Sequence, residues 1–149
     1  MKPIIKYTDE ERKAIFDKKV KEDMEKHQER IRQEDEAWNN LKPFKDIWDV
    51  PQLPQAWKAV YEGFYIPRLI KAGAIPKKDL LDGRVYIGRH RRCVAGKWNE
   101  SIQKFLYNRE KWGGTITDDC NHFEDDNGFA LFVPIRLGTE EEWKINKQL

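Results

Sequence analysis

From Asp9 to Trp38 the chain contains neither glycine nor proline. Most of its residues there are strong helix formers, so the segment has little choice but a long helix. Thr8-Asp9-Glu10-Glu11 marks the start as a capping box, in which Thr8 accepts from the Glu11 amide and Glu11 reaches back to the Thr8 amide. The neighbouring acids suit the positive end of the helix dipole. Apolar positions are sparse: Phe16, Val20, Met24, Ile31 and Trp38, with His27 and Glu34 in the same seam. From Val20 the steps alternate four and three, a thin heptad pattern. Charge laces the other faces, with Asp17 to Lys21 and Glu22 to Lys26 at the favourable four-residue spacing. Two fates are open to such a seam: docking on the chain's own domain, or pairing with a second copy as a homo-oligomer. The His and Glu within it argue against a stable free-standing coiled coil. Residues 1–41 are therefore expected to be a charged helical arm.

Beyond the arm the pattern changes twice. NNLKPFKDIWDVPQLP, residues 39–54, is punctuated by three prolines yet carries Phe44, Ile47 and Trp48, which are costly to leave in water, so an ordered connector is expected. Pro54 suits the first turn of a helix, and Trp57, Val60, Tyr61 and Phe64 follow at three- and four-residue steps. Pro67 should kink or restart that helix, and Gly73 stands where a left-handed cap belongs, so helix is expected over 54–73. From Leu80 the period moves to two. Segments 84–89, 94–98, 105–109, 114–117 and 129–135 read as short strands over a β-rich stretch, 80–136. Asp82-Gly83, Asn99-Glu100, Gly113-Gly114 and Asn127-Gly128 separate them as hairpin turns would. The expected class is α+β: a long charged N-terminal helix and a second helical segment, then a small antiparallel β-sheet or partial barrel. A compact domain would span 42–138, with 139–149 as a C-terminal tail, a short helix or a frayed end.

Six tryptophans can anchor a small core in a chain whose charged residues reach 36%. Net charge is only +2, so long-range attraction to nucleic acid is weak and any electrostatic role must come from local asymmetry. MKPIIKYTDEERKAIF has no apolar run suited to a secretory leader, and no stretch approaches a membrane span. Two cysteines make no disulfide framework, so a reducing, cytoplasmic setting is the expectation.

The asymmetry lies in the sheet region. Between Lys77 and Lys111 there are ten Lys or Arg against four acids, whereas 118–126 holds five acids and no Lys or Arg. RVYIGRHRRCVAGKW, residues 84–98, is the densest part. Guanidinium groups grip anions with paired donors and aromatic faces stack on bases. Arg89, Arg91, Arg92, Lys97 and Arg109, with Tyr86, Trp98 and Tyr107 for stacking, are therefore candidates for an anionic ligand. A nucleotide-like small molecule or an acidic protein surface fits the limited charge better than duplex DNA. The competing reading is structural: strand arginines pair with acids on neighbouring strands, and 118–126 could neutralise them.

DDCNHFEDDNG, residues 118–128, looks like a calcium loop but is not an EF-hand, because with Gly128 as the central glycine Phe123 and Pro134 fall on ligand positions. His90, Cys93, Cys120 and His122 are a chemically sufficient set for zinc. Neither half has finger spacing, and on a regular strand His90 and Cys93 point to opposite faces unless the chain turns between them. No cofactor is expected, with zinc as the exception to test. His122 with Asp125 or Asp126 forms an acid–base candidate for a metal-dependent hydrolase or nuclease, and neighbouring acids would favour the charged imidazole. No nucleophile elbow, P-loop or zincin motif accompanies it.

Tyr86-x-Gly88, Ala95-x-x-Trp98, Phe105-x-Tyr107-x-Arg109-x-Lys111-Trp112-Gly113 and His122-x-Glu124-Asp125-Asp126-x-Gly128-x-x-Leu131-Phe132-x-Pro134 together resemble a family of small phage- and bacterium-encoded proteins, over residues 80–135. The resemblance implies an accessory protein of phage type, acting in the host cytoplasm, and no particular reaction. The family pattern has a cysteine near His90 and an asparagine near Arg92; this chain departs at both, which counts against zinc and sets the Arg89–Arg92 cluster apart. The expectation is a non-enzymatic binding protein for an anionic host ligand. The hydrolase and the internally neutralised structural protein are the alternatives.

Overall fold

A computed structural model describes residues 6–91, 93–108, 119–125 and 131–145. The chain divides into two compact units, residues 1–40 and 41–149. The first is α1 (Asp9–Asn39), with no buried residue. Thr8 caps it by accepting from the Glu11 amide at 3.1 Å. Its own hydroxyl donates to the Glu11 carboxylate at 3.0 Å, so that carboxylate answers the Thr8 hydroxyl. Arg32 bridges Glu29 and Glu36 at 2.6 and 3.3 Å. Phe16, Val20, Met24 and Ile31 of the seam are exposed.

The second unit is a closed five-stranded barrel with helical elements around it. Its strands are β1 (Val85–Arg89), β2 (Ala95–Asn99), β3 (Lys104–Leu106), β4 (Asp119–His122) and β5 (Leu131–Leu137). They pair in chain order and β5 returns to β1. Four pairings are antiparallel, as hairpin signals predict, but β4 and β5 run parallel. β4 falls where the sequence reads as an acidic loop, because its two inward residues are Cys120 and His122 rather than aliphatic ones. The expected strand at 114–117 lies outside the described residues. Closure removes the sheet's edges.

The barrel interior is aromatic: Tyr86, Trp98, Phe105, Tyr107 and Phe132 with Leu80, Cys93 and Cys120. Phe105 is the hub, with ring centres 4.9 Å from Trp98 and 4.7 Å from Phe132. Gly96 accommodates it, since a Cβ there would meet Phe105 at 3.1 Å. Outside the barrel wall, Val85, Ile87 and Ala95 pack against Trp143 of α4 (Glu140–Lys144), with Ile47 at the margin. β1 is thus covered on both faces, which explains its nearly unbroken apolar run.

Helix begins later than the periodicity suggests, at α2 (Lys58–Val60), and Pro54 lies in the extended connector. A π-helical turn, Tyr61–Tyr65, follows and leads into α3 (Ile66–Ala72). Pro67 has no amide hydrogen to give the preceding turn, and the widened turn lets the helix pass through it without breaking. Gly73 ends the helix at φ 125°, a backbone angle that disfavours any side chain. No helix among the described residues is long and apolar enough to cross a membrane.

Candidate anion-binding cleft

At Gly88 the strand β1 presses so close to β5 that a Cβ would lie 2.0 Å from the Val133 carbonyl oxygen. The β1–β5 register shifts between Ile87 and Gly88 at this point. The extra residue is Ile135 of β5, so it is β5 that bends there. Arg89, paired with Val133, and then His90 and Arg91 follow directly.

Opposite them runs the connector. Asp46 and Asp49 cap a single helical turn, Ile47–Asp49, and Val50 after it is fully buried. Arg89 fastens the two together: Nη1 donates to the Val50 carbonyl, and the guanidinium carbon stands 5.7 Å from the centre of the Trp48 ring. Between the two walls is a cavity of about 610 Å³. Trp48, Pro51, Gln52, Leu53 and Gln55 line one side; Arg89, His90, Arg91, Leu131 and Val133 line the other.

Three lysines of the basic region are engaged elsewhere. Lys77 meets Asp125 at 2.9 Å, Lys104 meets Asp119 at 3.4 Å, and Lys97 meets Glu140 at 2.8 Å while its ammonium lies over the Trp143 ring at 3.9 Å. Two of these pairs reach into the acidic segment, as the internal-neutralisation reading requires. Arg89 and Arg91 have no carboxylate partner among the described residues. Among the described residues, the positive charge of the cleft is thus uncompensated, and Arg89 there is only partly exposed.

The remaining expectations divide. Arg89 and Arg91 are brought together; Arg92 and Arg109 lie outside the described residues. Tyr86, Trp98 and Tyr107 are barrel core rather than a stacking surface, with Tyr86 accepting from the Leu81 amide at 2.8 Å and Trp98 donating to Glu100 at 2.6 Å. Parity along β1 foretells this: Tyr86 and Arg89 are three residues apart, an odd step that puts them on opposite faces. The exposed aromatic beside the arginines is Trp48, for which the sequence suggested burial.

His122 is a satisfied core histidine. Its Nε2–H donates to the Ile75 carbonyl at 2.7 Å and its Nδ1 accepts from the Glu124 amide at 3.1 Å. Burial pushes its pKa down to about 4, outweighing the Ile75 carbonyl and Asp125, which favour the charged form. The expected effect of the neighbouring acids is reversed because desolvation is the larger influence. Both ring nitrogens thus meet backbone partners, and the Asp125 carboxylate is paired with Lys77 at 2.9 Å; Asp126 lies outside the described residues.

Of the zinc candidates, His90, Cys93 and Cys120 lie around Tyr107, whereas His122 is held by the Ile75 carbonyl and the Glu124 amide. The chain does turn between His90 and Cys93, bringing Nδ1 to 3.7 Å from Sγ. Cys120 instead takes a hydrogen bond from the Tyr107 hydroxyl, and burial pushes its thiol well above the ordinary range. No three His, Cys, Asp or Glu residues converge as a metal site among the described residues.

Fold and site together define a small closed-barrel protein with a basic, aromatic-rimmed cleft. Comparison with family models, curated proteins and solved structures finds no match to the chain.

Proposed function

We propose that this is a non-enzymatic binding protein, an accessory protein of the phage type that the 80–135 resemblance implies, whose cleft captures an anionic ligand. One observation carries the reading: Arg89 and Arg91 share a cavity with an exposed tryptophan and lack carboxylate partners among the described residues. Guanidinium groups held this way are matched to phosphate or carboxylate. The cavity volume of about 610 Å³ is that of a small-molecule site, which favours a small ligand over an acidic protein surface.

Isothermal titration with inorganic phosphate tests it. Binding is expected in the native protein and at least about tenfold weaker in Arg91→Glu, equivalent to about 1.4 kcal/mol. The melting temperature should stay nearly unchanged, because Arg91 is exposed. Absent binding, or equal binding by both proteins, overturns the proposal. The structural reading is supported by the Lys77–Asp125 and Lys104–Asp119 pairs, and it predicts instead that Arg91→Glu lowers stability.

A further inference from the structure

The cleft's chemistry is segregated, and the pattern narrows the ligand beyond its charge. Resting on the anion-binding reading, we infer that the cleft takes a nucleoside monophosphate, with the base on the connector side and the phosphate at Arg89 and Arg91.

Three features lead there. Trp48 is 63% exposed, although its neighbours Ile47 and Val50 are packed away, so an indole face remains outside the core at the rim of the cavity. A simple inorganic anion or sugar phosphate would leave that face, and the apolar wall of Leu53, Leu131 and Val133, without use. A planar heterocycle uses both, since base–aromatic stacking contributes about 1–3 kcal/mol and tolerates any base.

The second feature is amide chemistry. Gln52 and Gln55 line the same side as Trp48 and are exposed. Each carries a donor and an acceptor on one planar group, the pairing that matches the edge of a nucleobase.

The third feature limits the phosphate. One edge of Arg89 is committed to the Val50 carbonyl. The remaining Arg89 donors and the Arg91 fork suit a single phosphate group. Among the described residues, those lining the cleft include no carboxylate to hold the divalent cation that accompanies di- and triphosphates.

The test is titration of the full chain with the four common nucleoside 5′-monophosphates, ribose 5-phosphate, inorganic phosphate and adenosine. At least one monophosphate should bind tenfold or more tightly than ribose 5-phosphate. Trp48→Ala should bring it to the level of ribose 5-phosphate, and Gln52→Ala should change the order of preference among bases. Melting curves on both variants verify that the fold is kept. Ribose 5-phosphate binding as tightly as every nucleotide overturns this inference and leaves the anion-binding reading standing. Adenosine binding as tightly as adenosine monophosphate overturns both. So does a lack of binding by every phosphate compound in the panel.

Discussion

His122 makes the protein's stability depend on pH in a direction and size that follow from its surroundings. The folded chain holds the imidazole neutral with a pKa of about 4, against 6.5 when the side chain is free in water. Well above pH 6.5 the group is neutral in both states and contributes no pH dependence. Below that value the unfolded chain binds a proton that the folded chain refuses, so stability falls as the pH falls and levels off only below the folded value. The loss amounts to about 2 kcal/mol at pH 5 and about 3 kcal/mol at pH 4. For a unit of this size, about 2 kcal/mol corresponds to a drop of roughly 10 °C in melting temperature. Urea unfolding at pH 7.5, 6, 5 and 4 should be measured on the native protein and on His122→Gln. The glutamine retains an N–H for the Ile75 carbonyl and cannot titrate. It should be less stable at pH 7.5, from imperfect packing, yet lose about 2 kcal/mol less than the native protein between pH 7.5 and 5. The same pH-dependent loss in both proteins would refute the reasoning, as would an NMR titration placing His122 near 6.5.

Further perturbations probe the frame around the cleft. Gly88→Ala sets a methyl group against the Val133 carbonyl oxygen at 2.0 Å, backbone that cannot swing aside, and should cost about 3 kcal/mol in chemical denaturation. Trp143→Phe keeps an aromatic ring over Val85, Ile87 and Ala95 but removes the 2.9 Å hydrogen bond from Nε1 to the Leu106 carbonyl. It should lower stability by about 1–2 kcal/mol. Lys77→Met breaks the half-buried pair with Asp125, and a loss of about 1 kcal/mol that shrinks in high salt is expected in denaturation at two ionic strengths.

The helix from Asp9 to Asn39 follows from its own residues: strong formers, a threonine cap and no breaker. Its interactions are local, so composition and spacing suffice. Strands β1, β2, β3 and β5 are also legible, because alternation and turn residues act over a few positions. Alternation says which residues share a face and is silent on which face turns inward. Barrel closure made that choice, placing Tyr86, Trp98 and Tyr107 inside and leaving Arg89 on the outer face with the connector.

Closure also decided β4, whose polar sequence becomes a strand because β3 and β5 supply partners on both sides. It set the state of His122 as well: the sequence places acids beside the imidazole, but only the packed barrel removes the water that would stabilise its charge. The cleft was the least legible feature. Its arginines stood out as a cluster, yet their aromatic and amide partners lie some forty positions earlier, in a segment whose prolines and apolar residues suggested only an ordered connector. The sequence by itself determined most of the elements and the local excess of charge, since both depend on neighbours along the chain. Which cations are neutralised and which face an open cavity depended on contacts between distant segments, and the tertiary structure alone decided them.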